Sequence, residues 1–198
     1  RTAPMNLFDL ACDLTKNGHD VTVLTGIPNH PHGRFYDGYK LRIWQMKKIA
    51  GVNILRVPLF PDHSTSVFKR ALNYLSFSLS AMTIGFYLIR NIPTDIIFTY
   101  LPPLTIGLPS KIISLFHNVP IVFWITDLWP DNLITTGKKI RPSIVKIIKC
   151  LEKWVYNQAE KITVNSPGFI HNLIGKGVKS NKLSIISDWA DSKVFYPR

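Results

Sequence analysis

With 198 residues, 46% hydrophobic and 12% aromatic, the chain has the apolar content for a packed core, which excludes the disordered classes. Its formal net charge of +12, from 24 Lys and Arg against 12 Asp and Glu, points to an anionic partner: nucleic acid, anionic lipid head groups or a phosphorylated substrate. Cys12 and Cys150 have no second thiol nearby in sequence and read as reduced thiols, not a disulfide framework.

The chain opens on Arg1-Thr2-Ala3-Pro4, without signal-peptide character, and passes directly into an amphipathic run. Leu7, Leu10, Ala11 and Leu14 recur at helical spacing, with Asn17-Gly18 as the C-cap. A domain that begins this way leads us to expect a further strand upstream. Val21 to Leu24 reads as a short buried strand, 26–44 as a long Pro/Gly/His loop, and Ile54 to Val57 as the next strand, ended by Pro58 and Pro61. Val67 to Arg90 is one long helical stretch. The strand Ile96 to Tyr100 follows Asp95, and Pro102-Pro103 starts a helix reaching about Phe116.

The alternation continues with a strand at Ile121 to Ile125, a loop at 126–137 and a helix near 142–158. Lys161 to Val164 is a strand, Pro167 to Ile174 a helix ended by Gly175 and Gly177, and Leu183 to Ile186 the last strand. Short apolar strands alternating with helices predict a doubly wound α/β fold, with a mostly parallel Rossmann-like sheet and helices on both faces. Ligands in such sheets sit beyond the carboxyl ends of the strands. His30, His32, His63, Tyr100, Asp127 to Asp131 and Ser166-Pro167-Gly168 all fall there.

Several familiar devices are absent. Gly175-Lys176-Gly177 follows a helix, so it is a cap and not a dinucleotide-binding turn. Gly33 to Lys40 lacks the Gly-Lys-Ser/Thr ending of a phosphate-binding loop, because Tyr39 separates Gly38 from Lys40. No Asp-x-Asp pair exists to bridge a metal to a nucleotide, and the histidines lack zinc spacing.

Asp127-Leu128-Trp129-Pro130-Asp131 places a carboxylate directly after a buried strand, which suits general-base work or orienting a hydroxyl; capping the next turn is the plainer reading. Ser166 and Gly168 open a helix after a strand, where free N–H groups suit an anion, although Ser166 as a simple N-cap fits equally. Residues 71–89 carry no charge and fit a buried crossover helix, a membrane-surface helix or a span. The helix near 142–158 has an apolar stripe of Ile144, Ile147, Ile148, Leu151 and Val155. Lys146, Lys149 and Lys153 share its other side, with Lys138, Lys139 and Arg141 just before; this densest basic patch reads by default as a solvated face and more sharply as a surface for anionic lipid. Nucleic acid is not expected, since no binding motif accompanies the patch.

Asn17 to Gly26 resembles the helix-to-strand junction of GT-B glycosyltransferases. Pro28-Asn29-His30-Pro31-His32-Gly33-Arg34, Tyr36 to Tyr39, Tyr100 to Gly107 and Asp127 to Asp131 narrow the likeness. Together they resemble glycosyltransferase family 4, in the branch of bacterial O-antigen, capsule and colanic-acid transferases, including fucosaminyltransferase-like members. The resemblance implies that residues 1–187 form a GT-B N-terminal, acceptor-side domain without its first strand. Residues 188–198 would then form the hinge to a donor-binding domain; Ser187-Asp188 stands there where the family usually has Pro-Asn.

It further implies a retaining, hexosyltransferase-type transfer from a nucleotide-sugar, without cofactor or metal, to an undecaprenyl-diphosphate-linked sugar. The enzyme would work on the inner face of the bacterial cytoplasmic membrane, and this chain alone would not turn over. On that basis Asp127 is the catalytic or acceptor-orienting residue, and His30, Arg34, Tyr100, Thr105, Trp129, Asp131, Ser166 and Gly168 are acceptor-binding candidates. A non-catalytic module that docks lipid-linked substrate, or pairs with a donor-binding chain, is the alternative.

Overall fold

The structure, a computed structural model, describes residues 3–64, 66–131, 141–187 and 189. Helix α1 (Ala3–Lys16) buries Ala11 and Cys12 against Val52 and Ile54. It stops at Gly18, whose φ of 89° continues the chain in the left-handed region that glycine tolerates. Strand β1 (Thr22–Gly26) follows, and then the long loop expected from its Pro, Gly and His content.

The loop ends in an element the sequence reading missed. Strand β2 (Gln45–Ile49) forms a hairpin with β3 (Val52–Val57), pairing Gln45 with Arg56 and Ile49 with Val52. The turn is Ala50-Gly51, with φ of 50° and 84°, the geometry whose twist matches paired strands. Met46, Lys47 and Lys48 are exposed in this edge strand, so no apolar alternation marked it. The β-branched run around a Gly-containing two-residue turn was the available signal.

Residues Val67–Ile89 form the expected long helical stretch in three parts: α2 (Val67–Ser80), one π-helical turn (Ala81–Gly85) and α3 (Phe86–Ile89). The Ser66 hydroxyl accepts from Lys69 N at its start. One side of the stretch, with Ser78, Ala81, Gly85 and Ile89, is buried. A methyl group on Gly85 would lie 2.9 Å from Leu24 Cδ2, so glycine lets the helix rest on β1.

Beyond it come β4 (Ile97–Leu101), a 3-10 turn (Leu104–Ile106), α4 (Gly107–His117) and β5 (Ile121–Ile125). Then follow α5 (Pro142–Gln158), β6 (Lys161–Val164), α6 (Pro167–Gly175) and β7 (Leu183–Ile185). Most boundaries fall within a residue or two of those read from the apolar runs. Asn118 ends α4 with a φ of 55°, a left-handed cap.

The strands form two sheets. β1-β3-β2 is parallel between β1 and β3 and antiparallel between β3 and β2; β4-β5-β6-β7 is parallel throughout. Helix α1 covers one face of the smaller sheet, and the π turn, α3 and α4 cover the other, which gives the doubly wound α/β class. Leu55, Ile89 and Ile113 form one buried cluster, and Leu24 of β1 and Ile97 of β4 both pack on it, so the two sheets share a core.

The larger core lies under the second sheet. Ile121, Phe123, Ile125, Ile162 and Val164 meet Val155 and Tyr156 of α5 and Leu173 of α6 there. Complete burial of such aliphatic and aromatic side chains contributes roughly 2 kcal/mol each before the entropy of ordering is counted. Both cysteines are free thiols, Cys12 buried and Cys150 exposed.

Candidate functional site

The carboxyl ends of β4 and β5 adjoin, because Leu101 pairs with Ile125. Thr126 continues this register: its N–H donates to Leu101 O at 3.2 Å, and its hydroxyl donates to the Tyr100 hydroxyl at 2.9 Å. Asp127 comes next, partly buried at the lip of the sheet. Trp129 Nε1 donates to Asp127 Oδ2 at 3.1 Å, which orients the carboxylate. The Trp129 ring meets the edge of Tyr74 on α2 with centroids 6.0 Å apart, and the Thr105 hydroxyl donates to Tyr74 O at 3.4 Å.

Four sequence-predicted residues, Tyr100, Thr105, Asp127 and Trp129, thus belong to one connected group. Thr126 and Tyr74 complete it. Both were missed: Thr126 is a plain residue beside a conspicuous one, and Tyr74 lay in a stretch read as apolar helix. Ser78, buried on α2, donates to Thr105 O at 2.7 Å and fixes the 3-10 turn against that helix.

Asp131 has another setting. Its Oδ2 lies 2.8 Å from Lys176 Nζ and accepts from Asn172 Nδ2 at 3.2 Å, both at the C-terminal end of α6. Lys176 also holds Glu152 of α5, at 2.6 Å. Burial alone would raise the Asp131 pKa, but the hydrogen bonds from Lys176 and Asn172 leave it below its ordinary value. Glu152 is the reverse case: burial dominates the bond from Lys176 and leaves its carboxyl above the usual range. Lys176 would be lowered by burial, but its two carboxylates hold it above the ordinary lysine value. Tyr156 beside Glu152 is raised, first by burial and then by that negative charge. Asp131 therefore ties the strand-end loop to α5 and α6. An acid at position 152, among Ile148, Leu151 and Val155, was the sequence signal for this cluster.

The histidines form a separate group. His30 meets His63 edge to face at 4.6 Å, and its carbonyl accepts from the Tyr36 hydroxyl at 2.7 Å. Burial first, then the nearby rings of His63 and His32, lowers the His30 pKa below its ordinary value. Arg34 is exposed in the same loop. Ser166 stands at the start of α6 without a side-chain capping bond, and Gly168, the second residue of the helix, is exposed.

On α5, Lys146, Lys149 and Lys153 are exposed beside exposed Ile144 and Ile147, and Arg141 precedes the helix. Lys138 and Lys139 lie outside the described residues. On α2, Phe68, Leu72, Leu75 and Leu79 lie i, i+4, i+7, i+11 apart and are all exposed, opposite the buried side. Val67–Ile89 is long and apolar enough to cross a membrane, and only 17% of its most apolar window is buried. The crossover reading therefore holds for one face only. Among the described residues, no three His, Cys, Asp or Glu side chains gather where they could hold a metal ion.

The strand ends of this doubly wound sheet gather an oriented carboxylate, an indole and hydroxyls at the place where such folds bind ligands. Among protein families, the model for Glycosyltransferase Family 4 matches residues 6–193, and the chain belongs to that family. Its function is accordingly of the glycosyltransferase type. Comparison with curated proteins returns no match.

Proposed function

We propose that this chain forms the acceptor side of a retaining glycosyltransferase. It would move a sugar from a nucleotide-sugar to a lipid-linked diphosphate sugar in bacterial surface polysaccharide synthesis, of the O-antigen or capsule kind. The observation that carries the reading is the Asp127 group at the ends of β4 and β5, in a chain of Glycosyltransferase Family 4. Asp127, oriented by Trp129, would accept a hydrogen bond from the acceptor hydroxyl or balance positive charge on the transferring sugar. Tyr100 and Thr105 would bind the acceptor beside it, and His30 and Arg34 would contact its diphosphate. Ser166 and Gly168 would offer donors at the start of α6, and residues 188–198 would lead to a donor-binding domain. No cofactor or metal enters this scheme.

Two exposed surfaces support a membrane-bound acceptor. The apolar stripe of α2 would lie in the interface, and the cations of α5 would face anionic head groups on the inner leaflet. Transfer is measured with the enzyme in its complete form, labelled nucleotide-sugar and the lipid-linked acceptor. Asp127→Asn is expected to lower turnover at least about 100-fold, within the range of general acid–base contributions. Turnover within about threefold of the parent would remove Asp127 from the chemistry.

A further inference from the structure

Strand β3 is mostly apolar and buried; its polar residues are Asn53, which is partly exposed, and Arg56, which is buried. Val52, Ile54 and Arg56 share one face by the alternation of a strand, and the first two pack under α1. Where the pattern calls for a third aliphatic side chain, the chain places an arginine only 7% exposed. Arginine cannot shed its charge when buried, so it needs a partner. Among the described residues none of its nitrogens meets a carboxylate, and Nε is buried without any hydrogen-bond partner. Its described contact is the Tyr39 ring, whose centroid lies 5.3 Å from Cζ.

Arg56 lines a half-open cavity of about 620 Å³ together with Tyr39, Arg42, Trp44 and Lys47. Three cations meet there, and no acid is among the lining residues. Trp44 is 48% exposed, a large ring left open beside the charges. Arg56 pairs with Thr25 on one side and Gln45 on the other, so the cavity sits near the carboxyl ends of β1 and β3. It is built from the hairpin and its entry loop, and it shares no residue with the Asp127 group.

We propose that this cavity binds a phosphoryl or diphosphoryl group of a small molecule. Arg56 supplies paired N–H donors to the phosphate oxygens, a match of planar fork to tetrahedral anion. Arg42 and Lys47 close over the remaining charge. Tyr39 stays stacked beneath the guanidinium, and Trp44 offers a face to a ring attached to the phosphate. The site stands apart from the transferase reading, since it requires only the anion.

The probe is inorganic pyrophosphate, titrated calorimetrically into the 198-residue chain at about 0.15 M salt, where diffuse attraction to the net charge is largely screened. Saturable binding is expected, with acetate at equal concentration giving none. Arg56→Met, which keeps the buried stem, is expected to weaken it at least about tenfold, whereas Lys179→Gln, exposed beyond α6, shifts it less than about twofold. If Arg56→Met does not fold by circular dichroism, the exposed pair Arg42→Gln and Lys47→Gln carries the same expectation. No saturable pyrophosphate binding overturns the proposal. So does equal binding of acetate, unchanged affinity in the cavity variants, or a loss with Lys179→Gln as large as theirs.

Discussion

Lys176 Nζ stands 2.8 Å from Asp131 Oδ2, and this ion pair holds the loop after β5 against the end of α6. The same ammonium meets Glu152 at 2.6 Å, where the carboxylate is 6% exposed. Removing the cation leaves one buried and one half-buried charge unpaired. Lys176→Met is therefore expected to destabilise the fold by about 2–4 kcal/mol, at or just below the range for breaking a buried pair, because Lys176 keeps some contact with water. Urea unfolding near neutral pH measures it; a change under about 0.5 kcal/mol would show that solvent screens the cluster.

The same cluster sets a pH dependence with two opposed parts. Asp131 is held below its ordinary value, so its contribution is complete above the unfolded pKa and fades as pH falls through the folded one. Glu152 is held above its ordinary value, so its contribution is present at acid pH and is lost as pH rises through the folded pKa. Without Lys176, Glu152 rises further. The deficit of Lys176→Met is thus expected to be smaller at about pH 5 than at about pH 8. Paired urea titrations read it, and a deficit that stays constant or grows toward acid would show that neither carboxylate sets it.

Gly107 begins α4 where that helix crosses α5. A methyl group there would lie 2.7 Å from Val155 Cγ2 and 2.9 Å from Cγ1, and Val155 is fully buried. Alanine gains at most about 1 kcal/mol of helix propensity, less in a first turn. Overpacking a β-branched core neighbour costs about 1–3 kcal/mol, so the clash wins and Gly107→Ala is expected to be net destabilising by about 1 kcal/mol or more. Thermal unfolding is the readout, and a raised Tm would show that the two helices part without cost.

Trp129→Phe keeps a ring against Tyr74 but removes the donor to Asp127. Loss of one such bond costs about 0.5–1.5 kcal/mol. If Asp127 acts on the acceptor, kcat is expected to fall about tenfold with a small change in KM. A rise in KM at constant kcat would place the indole in acceptor binding alone.

Membrane attachment makes a separable prediction. Reversing Lys146, Lys149 and Lys153 to Glu removes roughly 1 kcal/mol per cation near an anionic surface, so partitioning to vesicles of phosphatidylglycerol and phosphatidylethanolamine should fall by about 100-fold or more. Phe68→Ser with Leu75→Ser should weaken flotation on neutral vesicles as well. Unchanged flotation in both variants would remove these faces from the membrane.

The parallel elements were legible from one sequence because burial on both faces leaves continuous apolar runs such as Ile121 to Ile125. The strand ends were legible too: Tyr100 lies at the end of β4 and Asp127 just beyond β5. β2 was not, since an exposed edge strand with Met46, Lys47 and Lys48 has no periodicity to read. The split into two sheets was equally hidden, because pairing partners are chosen across the chain and not along it.

The sequence by itself determined the α/β class, the order of elements and the family resemblance, all of which depend on local propensity and spacing. Only the tertiary structure decided which polar residues meet. It turned Asp131 toward Lys176, joined Asp127 to Trp129 and Tyr100 through Thr126, and left Arg56 buried with no counter-charge among the described residues. Such contacts join residues distant in sequence, and their energies depend on burial and geometry that no linear spacing encodes.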